Sequence, residues 1–414
     1  MTAPRTTLNV AMIGHGFMGA AHSQAWRTAP RFYDLAIEPR MHTLVGRDPE
    51  RVAAAADKFG WDNTDTDWRR VVESDDIDIV DIGTPGDTHA EIALAALAAG
   101  KHVMCEKPLA NSVADAERMT AAAADADARG VRSMVGFSYR RVPAVAFARQ
   151  LVADGRIGEV RQARAQYLQD WLADAEAPLT WRLNKELAGS GSLGDIGAHA
   201  IDLVQYITAQ SVAEVSGILH TFVTERPLLG EGSGLSGTAS TERGPVTVDD
   251  VALFTARLEA PGAAPAALAT FEATRFATGR KNAVRVEING SLGSVAFDLE
   301  RMNELDFYDA TLPATELGFR RILVTEPEHP YMAAWWPTGH TIGYEHAFSH
   351  QVRDFLTSIA EGRPAEPSFS EGLQIQRVLD AIETSAGAGS AWTAPEPAPG
   401  STTGAPVTTT GVTE

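Results

Sequence analysis

"LNVAMIGHGFMGAAHSQAW", residues 8–26, decides the fold. An apolar run over Leu8–Ile13 breaks at three glycines, and the chain then resumes with residues that favour a helix. A G-x-G-x-x-G spacing is weak evidence alone, but between a strand and a helix it describes a dinucleotide-binding turn. Gly14 permits the tight turn, Gly16 removes a Cβ where a pyrophosphate approaches, and Gly19 lets the helix pack on the strand. The N–H groups at the helix mouth, at Phe17 and Met18, are placed to meet the anion.

Outward from that turn, strand and helix patterns alternate through residue 136. "MHTLVG" (41–46), "DIDIVDIGTP" (76–85), "KHVMCEKP" (101–108) and "RSMVGF" (132–137) read as strands, with alanine-rich helices between them. Such alternation predicts an α/β fold, a doubly wound parallel Rossmann sheet covered by helices. After Phe137 the rhythm changes. A helix near 142–158 leads to strand runs at 159–171, 251–260, 266–277, 283–290 and 294–300, some joined by short turns. Strands in succession predict an α+β domain with a large, mostly antiparallel sheet. Two helices follow near 344–362 and 370–386. The expected division is 1–137 for the cofactor and 138–386 for substrate and oligomerisation. A Gly/Pro/Thr-rich tail, 387–414, is expected to be disordered.

Composition narrows the partners. The 35 basic and 54 acidic residues of the 414 give a formal charge of −19, which disfavours nucleic acid and anionic membrane surfaces. The single cysteine, Cys105, rules out an internal disulfide and a cysteine-based zinc site, and it reads as a buried small apolar residue. No stretch reaches the roughly 18 apolar residues of a membrane span, and the N-terminus carries no signal-peptide pattern. A cytoplasmic location is expected. The eleven histidines form no metal-like cluster with acids, so no metal is implied.

Two strand ends carry chemistry. In "VGRDPER" (45–51) Gly46 stands where a carboxylate would grip the adenosine 2′-OH of NAD. A small residue followed by Arg47 leaves room and charge for the 2′-phosphate of NADP, yet Arg47 could equally stack on adenine. The choice between NAD and NADP stays open. In "HVMCEKPLAN" (102–111) a buried strand ends in Glu106, Lys107 and Pro108, at the carboxyl edge where open α/β sheets place ligands. Far downstream, "GSLGDIGAHAIDL" (191–203) sets Asp195 and His199 four residues apart, on one face of a helix start. A histidine near its ordinary pKa of ~6.5 suits removal of a hydroxyl proton, with the carboxylate orienting it. A lysine at the reacting oxygen favours the developing alkoxide.

"GHGFMG", "CEKPLA", "GFSYRRVP" and "GSGSLGDIGAHAIDL" together resemble the Gfo/Idh/MocA family of oxidoreductases, over roughly residues 8–385. The resemblance implies Lys107, Asp195 and His199 as the catalytic set, with the histidine as base and the lysine contacting substrate and cofactor. It implies a cofactor site that adds Thr84, Pro85, His89 and Glu106 to Gly14, Gly16, Phe17, Met18, Gly46, Arg47 and Lys107, although His89 reads more readily as a cap or packing residue. It implies an open sheet used for homo-oligomerisation, as a dimer or tetramer. "YLQDWLADAEAPLTWRLNKELAGSG" (167–191), a long loop "APRFYDLAIEPRMH" (29–42) and "WWPTGHTIGYEHAF" (335–348) resemble the levoglucosan dehydrogenase-like branch. Tyr139, Trp171, Arg182 and His340 are the implied substrate contacts, with Arg140 near the same cleft. The expected reaction is oxidation of a secondary hydroxyl of a sugar, anhydrosugar, glycoside (at C3 in members of that branch) or cyclic polyol. Alternatives are glycoside cleavage through transient oxidation by a tightly held NAD, or a non-catalytic nucleotide-sensing protein.

Overall fold

The computed structural model describes residues 5–230, 239–259 and 266–396. Six parallel strands form the first layer: β1 Thr6–Ile13, β2 Ile37–Val45, β3 Asn63–Asp65, β4 Ile79–Ile82, β5 His102–Cys105 and β6 Ser133–Val135. Their order is β3-β2-β1-β4-β5-β6, so the sequence order reverses between β1 and β4. In doubly wound sheets that reversal opens a crevice at the carboxyl ends of the strands. The connecting helices are α1 Phe17–Phe32, α2 Pro49–Phe59, α3 Trp68–Glu73, α4 His89–Ala98 and α5 Val113–Asp127. β4 is buried along its whole length, as a strand covered on both faces must be, and includes one charge, Asp81.

The second layer is an eight-stranded sheet in the order β16-β15-β14-β13-β7-β12-β11-β8. Its strands are β7 Val160–Leu168, β8 Val212–His220, β11 Val251–Leu258, β12 Leu268–Thr274, β13 Ala283–Gly290, β14 Gly293–Asp298, β15 Glu304–Asp309 and β16 Arg320–Leu323; β9 Glu225–Leu229 and β10 Ala239–Pro245 pair separately. Among the described residues of this sheet only β7 and β12 run parallel; the mostly antiparallel reading holds. The helices of this half are α6 Pro143–Ala153, α7 Lys185–Ala188, α8 Ala198–Thr208, α9 Tyr344–Glu361 and α10 Phe369–Gly387. α8 packs on β7 and β13, whereas the opposite sheet face leaves Ile218, Leu253 and Leu268 exposed.

Three sequence readings change. Residues 29–42 are no long loop: α1 continues through Pro30 to Phe32, because Ala29 and Pro30 lie on its buried face, and β2 begins at Ile37. α9 returns to the first layer, where Phe348, Val352, Phe355 and Leu356 share a core with Val10, Met12, Trp26, Leu44 and Ile79. The tail is not disordered from Gly387. Thr393 bridges to Val215, Ser385 Oγ donates to the Ala391 carbonyl, and Arg257 lies 4.4 Å over the Trp392 ring. The remainder of the expected tail, 397–414, lies outside the described residues. Among the described residues no helix is long and apolar enough to cross a membrane.

Candidate active site

β1 ends at Ile13, and Gly14 turns the chain with φ +104°, a conformation that favours glycine. A Cβ on Gly16 would meet nothing within 4 Å. No side chain caps α1 at Gly16, so the first helical N–H groups open onto that space. A cradle of bare backbone donors at a helix mouth fits a dinucleotide pyrophosphate. At the tip of β2, Arg47 is exposed, whereas Asp48 is used as the N-cap of α2, accepting from the Glu50 and Arg51 N–H groups. Thr84 Oγ1 accepts from Thr88 Oγ1 at 2.7 Å in the turn that continues through Pro85. His89 is buried, with Nε2 2.9 Å from the Thr84 carbonyl and Nδ1 3.0 Å from the Pro108 carbonyl. It therefore ties two loops together, as a packing residue does.

β5 delivers Glu106 and Lys107 to the same crevice, and the Lys107–Pro108 peptide is cis. Glu106 is buried, and its Oε2 accepts the Lys107 main-chain N–H at 3.2 Å. Lys107 Nζ donates to the Asp195 carbonyl at 2.6 Å and lies 3.7 Å from Asp195 Oδ1. The strand end and the downstream motif thus meet across 88 residues.

The downstream motif is not a plain α-helix. Leu193–Gly197 forms a π-helical turn that passes into α8, a local widening found mainly where side chains serve a site. Asp249 holds it from outside. Its Oδ1 accepts the Gly191 N–H at 2.7 Å, and its Oδ2 accepts from Ser192 Oγ at 2.6 Å and the Leu193 N–H at 2.8 Å. A Cβ on Gly191 would come within 1.9 Å of the Asp249 carbonyl oxygen, so only glycine allows this approach.

The expectation that Asp195 orients His199 is not met: no hydrogen bond joins them among the described residues. Asp195 lies instead between Lys107 and Arg275, whose Nη1 is 3.6 Å from Asp195 Oδ2. Burial alone would raise the Asp195 carboxyl, but Lys107, Arg275 and Arg182 outweigh it and hold the group below the usual carboxylate range. With 28% of the Asp195 side chain still exposed, water screens part of that attraction. His199 sits among the rings of Phe137, Tyr139 and Tyr167, with centroids 5.9, 4.6 and 5.9 Å away. Burial first, then the Lys107 charge, pushes its pKa well below the ordinary value. Among the described residues its buried Nδ1 has no hydrogen-bond partner, and a buried ring nitrogen left unpaired makes the charged ring costly.

A polar chain lines one side. Tyr139 and Tyr167 hydroxyls are 2.8 Å apart, Tyr167 donates to Asn282 Oδ1 at 2.7 Å, and Gln169 joins Asn282 to the Trp171 indole N–H. Arg182 is half-buried, 4.5 Å over the Trp181 ring. Two residues stand apart. Arg140 is buried between Asp202 and Glu371 and so braces α8 and α10, while exposed His340 lies against the Pro337 carbonyl of its own loop. Arg275, Asp249 and Asn282 were missed from the sequence. The one signal for Arg275 was a charge closing an apolar strand, "ATRF", the same irregularity that marked Lys107. Among the described residues no group of three or more histidine, cysteine and acidic side chains could hold a metal.

Comparisons with known proteins agree with this geometry. Residues 8–137 match the model of the oxidoreductase family with an NAD-binding Rossmann fold, and 145–296 match the GFO/IDH/MocA C-terminal domain. A levoglucosan dehydrogenase from Pseudarthrobacter phenanthrenivorans is 42% identical over 92% of this chain and 96% of its own length. The crystal structure of an oxidoreductase domain protein from Kribbella flavida superposes with a TM-score of 0.89, at 63% identity over 94% of this chain and all of that one. A levoglucosan dehydrogenase in complex with NADH and levoglucosan gives a TM-score of 0.87, at 41% identity over 94% of this chain and 99% of that one. With the glycine turn, the lysine strand end and both domain models in register, the chain belongs to the Gfo/Idh/MocA family of NAD-binding oxidoreductases.

Proposed function

We propose that the protein oxidises a secondary hydroxyl of a sugar, with levoglucosan-like anhydrosugars the foremost candidates and cyclic polyols next. The observation that carries the reading is Lys107 seated on Asp195 beside a histidine kept neutral by burial. Glu106, Thr84 and Pro85 flank the cradle at Gly14, Gly16, Phe17 and Met18, where NAD, when bound, supplies the hydride acceptor. The Lys107 ammonium, donating to the substrate oxygen, favours the alkoxide and brings the hydroxyl within reach of a weak base. His199, through Nε2, takes the hydroxyl proton as the carbon gives up its hydride and the C–O bond becomes a carbonyl. Asp195 anchors the lysine rather than the histidine. Tyr139, Trp171 and Arg182 offer the sugar aromatic and hydrogen-bonding surface.

NADP is a second reading for one reason: Asp48 is spent on its helix cap while Arg47 is exposed at the strand tip. NADH in the solved complex of the 41%-identical relative favours NAD. A cytoplasmic setting and self-association complete the proposal. The test is nicotinamide absorbance with both cofactors against levoglucosan, glucose, inositols and simple glucosides. Reduction with a sugar is expected, and Lys107→Ala should lower kcat by about a hundredfold or more. Full turnover in that variant would sink the assignment.

A further inference from the structure

Beneath Lys107 lies a second charged cluster that the proton transfer does not use. His22 on α1, Asp81 in β4 and Glu106 after β5 are 1%, 0% and 4% exposed. His22 Nδ1 lies 3.0 and 2.9 Å from the two Asp81 oxygens, and Nε2 lies 3.0 Å from Glu106 Oε1. Trp26 Nε1 donates to Asp81 Oδ2 at 2.7 Å, and the Lys107 N–H donates to Glu106 Oε2 at 3.2 Å. The chain of contacts therefore runs from the glycine helix, through two strands, to the backbone of the lysine. A neutral imidazole donates from one nitrogen only; with a carboxylate at each nitrogen, the ring satisfies both only as an imidazolium. Without that charge, two carboxylates would be buried near each other with no cation between them, an arrangement proteins avoid.

We propose that His22, held as an imidazolium between Asp81 and Glu106, is a positioning residue: through Glu106 it fixes the main chain that presents Lys107. The proposal rests on the reading of Lys107 as catalytic. Both Glu106 oxygens are taken, one by the His22 ring and one by the Lys107 amide, so the carboxylate is a brace between the two. Burial works against charge on His22, but Asp81 and Glu106 outweigh it and raise its pKa to about 10. Loss of the ring charge removes the cation that holds Glu106 in place, and the acceptor of the Lys107 amide is no longer fixed.

The first test needs no variant to fold perfectly. Nitrogen-15 spectra of the histidine rings are recorded on the cofactor-free full chain at about pH 9, where an ordinary ring of pKa ~6.5 is neutral. One doubly protonated ring is expected, absent in His22→Gln; neutral rings throughout would overturn the proposal. Kinetics with NAD and levoglucosan as the probe sugar give the second. His22→Gln should lower kcat by about ten- to a hundredfold with KM little changed. Adding Asp81→Asn removes one negative charge to match the lost positive one and should restore most of the rate. Wild-type kcat in His22→Gln, or a loss that Asp81→Asn does not recover, contradicts the positioning role. Lys107→Ala judges the underlying reading separately: if it keeps full turnover, that reading falls whatever the rings show.

Discussion

His199 illustrates how far residue type alone carries a prediction. A histidine in a cofactor cleft reads at once as a base, but its neighbours decide when it is ready. Burial and the Lys107 charge both disfavour the imidazolium, so the proton leaves it more readily than in water. A lowered pKa keeps the base form present as the pH falls, so the acid limb of kcat/KM should lie below the ordinary ~6.5. A profile from about pH 5 to 8 checks this, and a limb centred at or above 6.5 would contradict it. Lys107 was legible because a strand ending in acid, base and proline is locally odd. Arg275 was not, because its importance arises only when β12 is laid beside the π-helical turn, 80 residues earlier in the chain. The pairing assigned to Asp195 and His199 failed for the same reason. Helical spacing reports that two residues share a face, and is silent about a lysine arriving from another domain.

At the scale of elements, strands and helices of the first layer were readable because each had its own period and its own stop. The π-helical turn was not, since its shape is imposed by Asp249 across a loop rather than by its own residues. Asp249→Ala leaves the buried Gly191 and Leu193 N–H groups unpaired. The expected cost is about 2 kcal/mol or more in urea unfolding, with a fall in kcat as Asp195 and His199 lose their seating. Unchanged stability together with wild-type kcat would show that the turn holds its own shape. The short strand β3, the strand β15 and the edge strand β16 also escaped notice, because their sequences alternate too briefly to stand out from loops.

For the whole molecule, the two-layer plan was visible in the switch from alternating to successive strands, whereas the uncovered face arises only when β8, β11 and β12 lie side by side. Ile218 and Leu253 are paired neighbours on β8 and β11, at 57% and 44% exposure, and Leu268 on β12 is 53% exposed. Apolar side chains concentrated on one open sheet are the mark of a surface that another copy covers. Sedimentation is expected to show an oligomer, and Leu253→Glu with Leu268→Glu should shift it toward the monomer while the far-ultraviolet circular dichroism holds. A wild-type monomer would remove this face from consideration.

The return of α9 onto α1 has a consequence for how the chain is made. Translation delivers the first sheet early, but Phe348, Val352, Phe355 and Leu356, which close one side of its core, leave the ribosome more than two hundred residues later. Until then Trp26, Leu44 and Met12 lack their cover. The nucleotide-binding half is therefore a late finisher in spite of coming first, and an excised piece ending at Phe137 would carry an open apolar side that invites aggregation.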